Sequence, residues 1–180
     1  WEDAFHLREA RPATDAKPVA PGLRRPQIGA LHAALAHATR STAPATIVMP
    51  TGTGKTETML ALNARQRFDR LLVVVPTDAL RDQIAGKFET FGVLKGQTCL
   101  DASAEHPVVT RLSHIPSTVA EVDQLFDSAN VIVTTMHIAG RADPRVQEQM
   151  AARAAALFID EAHHIGARTW AEFRGLFVDR

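Results

Sequence analysis

The chain has 180 residues, which is enough for one domain with a full hydrophobic core. Hydrophobic residues make up 46% of the sequence and charged residues 22%, and 20 Lys and Arg balance 20 Asp and Glu at a formal net charge of +0. This balance excludes a protein that coats nucleic acid through a general positive charge, so any contact with nucleic acid must come from local groups.

The cysteine content and the apolar runs bear on the cellular compartment. The single cysteine, Cys99, cannot form an internal disulfide, which fits a reducing cytoplasm. No apolar run approaches the length that spans a bilayer, and residues 1–21 lack the pattern of a signal peptide. We therefore expect a cytoplasmic protein without a membrane partner. Because the sequence does not begin with Met and stops inside a predicted helix, we interpret it as a fragment of a longer protein.

The order of apolar runs and turn residues predicts the elements. Residues 1–22 are expected to form an irregular linker, because prolines and Gly22 interrupt any regular element, and residues 23–180 to form one domain. Strands are predicted at 46–49, 71–75, 131–133 and 156–159, and helices at 26–40, 55–68, 77–91, 117–128 and 170–180. Residues 92–117 can hold one or two further short strands, at 98–100 and 108–110. Apolar strands that alternate with helices predict an α/β fold, with a mostly parallel sheet and helices on both faces.

A glycine-rich turn at residues 50–56 reads PTGTGKT and lies between a predicted strand and a predicted helix. This is the context of a phosphate-binding loop, although Met49 stands where the general pattern has glycine. Gly52 and Gly54 allow a tight turn that directs N–H groups at phosphate oxygens. Lys55 is expected to bind the β- and γ-phosphates and Thr56 to ligate Mg²⁺. The alternative is a glycine-rich turn that binds nothing.

Two carboxylates, Asp160 and Glu161, follow the last predicted strand. Ligands bind at the carboxyl ends of strands in an open α/β sheet, so the phosphate loop and these carboxylates are expected at one edge. Asp160 is expected to hold Mg²⁺ through a water, and Glu161 to orient and deprotonate the attacking water. We interpret His163 as a polar relay beside the γ-phosphate, because the sequence has no Cys/His spacing typical of zinc.

Residues 49–56 and the run Asp-Glu-Ala-His at 160–163 resemble motifs I and II of superfamily 2 DEAD/DEAH-box helicases. Residues 75–83 resemble motif Ia of that family, and residues 133–135 resemble the Thr-containing motif before the DEAH box. Residues 23–27 resemble the Leu-Arg-x-x-Gln segment upstream of the phosphate loop. The resemblance covers residues 23–180. The spacing of the motifs and the run Asp-Glu-Ala-His-His are similar to those of the branch that contains type III restriction enzyme motor subunits.

The resemblance implies a RecA-like P-loop domain that uses ATP and Mg²⁺. It implies that Gln27 recognises adenine, a role for which an amide has the required donor and acceptor. The candidate nucleotide-binding residues are Gln27, Thr51, Gly52, Thr53, Gly54, Lys55, Thr56 and Glu57. The candidate catalytic residues are Lys55, Asp160, Glu161 and His163, and the candidate Mg²⁺ ligands are Thr56 and Asp160. The resemblance implies nucleic-acid backbone contacts at Pro76, Thr77, Gln83, Thr134 and Thr135, although Thr77 can also serve as a helix N-cap.

The same resemblance implies an ATP-driven helicase or translocase on DNA. Its partners would be double-stranded DNA, a second RecA-like domain of the same parent chain that brings an arginine finger, and a nuclease or modification subunit. Three alternatives stay open: an RNA helicase with the same engine, a non-motor regulatory nucleotide-binding module, and a P-loop ATPase acting on protein or small molecules. Backbone-binding motifs do not report sugar identity, so DNA and RNA are not separated at this point.

Overall fold

The computed structural model describes residues 4–14, 19–161 and 168–178, with the backbone alone for residues 168–170. Among these residues no helix combines the length and the apolar character needed to cross a bilayer. The elements in chain order are α1 (Arg25–Ala38), α2 (Lys55–Gln66), β1 (Leu71–Val75), α3 (Asp78–Thr90), β2 (Val109–Arg111), α4 (Val119–Ser128), β3 (Val131–Thr135), α5 (Met136–Ala139), α6 (Pro144–Arg153), β4 (Ala156–Ile159) and α7 (Arg168–Gly175).

The described strands form one parallel sheet in the order β2-β3-β1-β4. Leu71 of β1 pairs with Val131 of β3 on one side and with Ala156 of β4 on the other. Every residue of β1 and β3 is buried, as expected for parallel strands whose two faces are both covered. The prediction of an α/β fold with a parallel sheet flanked by helices is confirmed.

The chain divides into two compact units, residues 1–67 with 90–106 and residues 68–89 with 107–180. In the first unit α1 packs against α2, with Leu31 and Leu60 buried. In the second unit the sheet shares a core with α4, α5, α6 and α7. The fully buried side chains of that core include Leu72, Val122, Ile132, Met150 and Phe173.

Residues 4–14 belong to the segment expected to be an irregular linker. They form isolated β-bridges with other residues of the first unit. The bridged pairs are Phe5 with Leu100, Glu9 with Leu23, and Arg11 with Ala20. Gly22 permits the close approach of this segment, because a Cβ at that position would lie 2.6 Å from the Arg8 carbonyl oxygen. The described part of the segment is therefore hydrogen-bonded to its own unit.

The helix α4 has an N-terminal cap formed by side chains next to its first turn. The Thr118 hydroxyl accepts a hydrogen bond from the Glu121 N–H at 3.2 Å, and the Glu121 carboxylate accepts one from the Ser117 N–H at 2.8 Å. The Ser117 N–H, followed by the His114 ring, lowers the pKa of Glu121 below its usual value. Val122 and Phe126 then bury one face of the helix. Together these contacts define where α4 begins.

Thr118→Ala is expected to lower the free energy of unfolding by about 1 kcal/mol, because one N–H at the start of α4 loses its side-chain partner. Thr118→Ser keeps the hydroxyl and is the matched control, with an expected loss well below that of alanine. Denaturant unfolding followed by circular dichroism measures both. Equal losses in the two variants would contradict the capping role.

Apart from shifts at element ends, the structure differs from the predicted elements at residues 46–49 and 98–100, which are not strands, and at two helices that were not predicted. Residues 46–49 are not a strand, and Val48 is 88% exposed. An apolar run becomes a strand only when a neighbour pairs with its backbone, and among the described residues no strand pairs with this run. The helices α5 and α6 were not predicted, although Asp143 caps α6 through the Arg145 N–H at 2.9 Å and Pro144 follows at its first turn.

The C-terminal helix was predicted at 170–180, a range that contains the aromatic residues Trp170, Phe173 and Phe177. The structure places α7 at Arg168–Gly175 and buries Phe173 completely. Phe177 packs edge-on against Phe173 with ring centroids 5.4 Å apart. The side chain of the third aromatic residue, Trp170, lies outside the described side chains. Core packing accounts for the two that are described.

Candidate functional site

The glycine-rich turn leads directly into α2, which begins at Lys55. Gly54 has φ 92° and ψ 49°, and Gly52 has φ 78°. Residues with a Cβ rarely adopt these left-handed conformations, so both positions require glycine. The loop-to-helix half of the predicted phosphate-loop context is present. The strand half is not, because residues 46–49 are irregular.

Backbone carbonyls of the loop are held by side chains and N–H groups of the same unit. The Pro50 carbonyl accepts from the Thr53 N–H at 3.2 Å and from the Thr53 hydroxyl at 2.6 Å. The Gly54 carbonyl accepts from the Thr58 N–H and the Thr58 hydroxyl, each at 3.0 Å. These contacts close the turn on itself and join it to the first turn of α2.

Two residues at the start of α1 also contact the loop. The Gln27 side chain is fully buried; its Oε1 accepts from the Arg24 N–H at 2.8 Å and its Nε2 donates to the Gly54 carbonyl at 3.3 Å. The Arg24 guanidinium donates to the Gly52 carbonyl at 3.0 Å. Gln27 was predicted from sequence as an adenine contact, which stays a prediction. Arg24 was not predicted, because its contact joins residues far apart along the chain and leaves no local signal in the sequence.

The predicted phosphate-binding side chains lie in the first turn of α2. Lys55, Thr56 and Glu57 are each partly exposed, and the first N–H groups of a helix have no partner within the helix. Glu57 is an acidic residue at the positive end of the helix dipole, where a carboxylate is favourable. Thr51 and Gly52 are exposed and Thr53 is partly exposed. The turn thus offers backbone and cationic groups of the kind that bind phosphate.

The second unit carries the two predicted carboxylates at the end of β4. The Asp160 N–H donates to the Val74 carbonyl at 3.0 Å, which extends the ladder between β4 and β1 by one bond. Asp160 is buried at 9% exposure, and its Oδ1 accepts from the Glu161 N–H at 3.0 Å. Glu161 has φ 53°, a left-handed conformation that several other residues of the chain share. Asp160 is therefore held firmly at the carboxyl edge of the sheet.

The oxygen donors of the candidate metal ligands fit Mg²⁺, which prefers carboxylate and hydroxyl oxygens. Thr56 supplies a hydroxyl and Asp160 a carboxylate. Among the described residues no group of three or more His, Cys, Asp or Glu could hold a metal ion by itself. A hydroxyl and a carboxylate are groups that Mg²⁺ accepts as ligands beside phosphate and water oxygens. His163, the predicted relay, lies outside the described residues.

A scan against protein families matches residues 21–177 to the type III restriction enzyme res subunit. The chain belongs to this family. The resemblance to the superfamily 2 helicases and the RecA-like fold are thereby confirmed, and the res-subunit domain is a helicase-type ATP-binding motor domain. At family level this implies use of a nucleotide with a divalent metal, and nucleic-acid binding. No curated protein matches the chain.

Part of the predicted nucleic-acid contacts of the res-subunit domain lie on its surface. Pro76 is partly exposed, and Thr77 and Gln83 are exposed, beyond the carboxyl end of β1. The Thr77 hydroxyl accepts from the Leu80 N–H at 3.3 Å, so this residue caps α3. It can cap the helix and still face a ligand.

The other two predicted contacts, at the carboxyl end of β3, are covered in the res-subunit domain. Thr134 has 0% of its surface exposed, and its hydroxyl donates to the Leu112 carbonyl at 3.2 Å. Thr135 is 4% exposed. A backbone phosphate would reach either hydroxyl only after the covering residues move. Thr77 and Gln83 are therefore more accessible than Thr134 and Thr135.

Proposed function

We propose that this domain binds ATP with Mg²⁺ and hydrolyses it to move along DNA. The observation that carries the proposal is the junction at Gly54 and Lys55. A left-handed glycine there directs the chain into a helix N-terminus with a lysine at its first position, inside a chain of the res-subunit family. Such a junction combines N–H donors, a helix dipole and a full positive charge at one point.

The phosphate loop would hold the nucleotide through backbone and side chains together. Backbone N–H groups of residues 51–56 other than that of Thr53, which donates to the Pro50 carbonyl, would donate to phosphate oxygens, and Lys55 would neutralise the β- and γ-phosphates. The Thr56 hydroxyl and Asp160 would ligate Mg²⁺, which supplies charge neutralisation at the transferred phosphate when bound. Gln27 would contact adenine only after the residues that cover it move, because its side chain is fully buried and its amide is bonded to Arg24 and Gly54.

Hydrolysis would depend on the residue that follows Asp160. Glu161 would orient a water and accept its proton, a task for a carboxylate next to a metal-bound one. The bond from the Glu161 N–H to Asp160 supports this division, because it couples the orientation of the two residues. His163 would act as a polar relay beside the γ-phosphate.

Movement along DNA would require further parts. Thr77 and Gln83 would contact the sugar–phosphate backbone with Pro76, joined by Thr134 and Thr135 once these are uncovered. Such contacts position a strand and read no sequence. A second RecA-like domain of the parent chain would supply the arginine finger, which is worth on the order of 10³ to 10⁵ in rate. A nuclease or modification subunit is a further proposed partner.

The test is ATP turnover by the full parent chain, alone and with duplex DNA, single-stranded DNA or single-stranded RNA. We expect duplex DNA to stimulate turnover at least about tenfold, because closure of the two motor domains on the track completes the catalytic arrangement. The stimulation should weaken as salt is raised, since phosphate contacts release counterions. A variant without the Glu161 carboxylate provides the background rate.

The outcomes separate the candidate functions. Stimulation by RNA and not by DNA would identify an RNA helicase with the same ATPase motor. Nucleotide binding without stimulation by any nucleic acid would favour a regulatory module and refute the motor. Absence of nucleotide binding in the parent chain would refute the proposed function as a whole.

A further inference from the structure

The contact between Arg24 and the loop carries an inference about how the loop keeps its shape. Gly52 has φ 78° and is exposed, and a Cβ built on it would meet no described atom within 4 Å. The space beside the Gly52 Cα is therefore open, and no packing there restricts its backbone. The Arg24 guanidinium, which donates to the Gly52 carbonyl at 3.0 Å, is placed to restrict it.

Both polar groups of the Gly52–Thr53 peptide are hydrogen-bonded, to partners on different sides. Its carbonyl accepts from Arg24, and its N–H, on Thr53, donates to the Pro50 carbonyl at 3.2 Å. A free peptide unit at a glycine can rotate at little cost, because glycine populates positive and negative φ about equally. A charged donor on one end and a backbone acceptor on the other restrict this rotation.

The orientation of the Gly52 carbonyl matters for an anionic ligand. A carbonyl oxygen carries partial negative charge, so one that turned toward a phosphate group would repel it. A guanidinium bound to that oxygen holds it on the side of α1. The binding penalty for ordering the loop falls correspondingly, because less backbone freedom is lost when the nucleotide arrives.

We propose that Arg24 is a positioning residue for the phosphate loop: it holds the Gly52 carbonyl so that the loop is ordered before nucleotide binds. This rests on the proposed function, since it concerns the same loop. Gln27 plays the corresponding part at Gly54: its side chain is fully buried and donates to the Gly54 carbonyl. Arg24 holds the exposed end of the same turn.

The neighbouring arginine offers a matched control. Arg25 carries the same charge one residue later, but its side chain is 90% exposed and pairs with Glu9 at 2.8 Å. Arg25→Gln removes an equal charge from the start of α1 and leaves the Gly52 contact in place. Arg24→Lys keeps the charge and lacks the guanidinium fork. These variants separate a held carbonyl from a general electrostatic attraction for phosphate.

Two measurements on the full parent chain test the proposal. Hydrogen exchange without added nucleotide reports on the amides of residues 51–54, and calorimetry with ATPγS and Mg²⁺ gives Kd. For Arg24→Gln we expect loop exchange at least about 3-fold faster and Kd about 3- to 10-fold higher, from the loss of one charged donor at an exposed site. Arg25→Gln should change both by less than about 2-fold, and Arg24→Lys should lie between the two.

Equal exchange in Arg24→Gln and Arg25→Gln would overturn the proposal, as would faster exchange with an unchanged Kd. An equal rise of Kd in both glutamine variants would show attraction by charge alone and also overturn it. If the parent chain binds no ATPγS, the proposed function fails, and the exchange comparison still decides whether Arg24 holds the loop.

Discussion

Replacing Glu161 by glutamine is expected to lower ATP turnover by about 10²- to 10⁴-fold while nucleotide binding stays within about 3-fold of the parent chain. Glutamine has nearly the same shape and can occupy the same left-handed backbone position, φ 53°. Its N–H can still donate to the Asp160 carboxylate, as the Glu161 N–H does at 3.0 Å. What disappears is a group that can accept the proton of the attacking water.

The measurement is steady-state turnover by the full parent chain with the nucleic acid that stimulates it, beside the Kd for ATPγS. Glu148→Gln is the matched control, because it removes the same charge from an exposed position of α6 in the same unit. The control should keep turnover within about 2-fold of the parent, as surface substitutions away from a site usually do. Turnover in Glu161→Gln within tenfold of the parent would assign the proton-accepting role to another residue.

Gly54→Ala is expected to weaken nucleotide binding by more than about 10-fold, through two separate costs. The first is the backbone, since φ 92° is a conformation that alanine adopts only with strain of about 1 kcal/mol or more. The second is contact, since a Cβ at Gly54 would lie 2.1 Å from the Gln27 Nε2. Gln27 is fully buried, so it has little room to withdraw, and the loop itself must shift.

Gly29→Ala is the control for adding a methyl group to this unit. Gly29 lies within α1, and a Cβ there would meet nothing within 4 Å. Alanine is the better helix former, so this variant should be more stable by about 0.5–1 kcal/mol and bind ATPγS normally. Calorimetry gives both Kd values, with Lys55→Ala as the reference for loss of the phosphate charge. An unchanged Kd in Gly54→Ala would mean that the loop takes a different shape when it binds nucleotide.

Elements with a strong local signal were predicted closely. The strands β1 and β4 begin and end at the predicted residues, and α2 begins at the predicted Lys55. In each case an apolar run or a glycine-to-helix junction stands between unambiguous turn residues, so few alternatives compete. The strand β3 was predicted two residues too short, at 131–133, because it ends on two residues that are polar although buried, Thr134 and Thr135.

Residues 46–49 show where that reasoning stops. Their apolar run resembles a strand as closely as β4 does, yet Val48 is 88% exposed. A strand needs hydrogen bonds to the backbone of an adjacent strand, and the local sequence does not say whether such a strand is present. The same limit applies to Thr134, for which the family resemblance implied a nucleic-acid contact and whose hydroxyl donates to the Leu112 carbonyl inside the unit.

By itself the sequence determined the parallel α/β fold, the tight turn that contains Gly52 and Gly54, and the place of Lys55 and Asp160 at the ends of their elements. These follow from periodicity and from the steric limits of single residues, which act locally. Only the tertiary structure decided that Arg24 and Gln27 hold the loop carbonyls and that Asp160 is bonded to Val74. Such contacts join residues far apart along the chain, and they are settled by which surfaces pack together once the whole unit has buried its apolar groups.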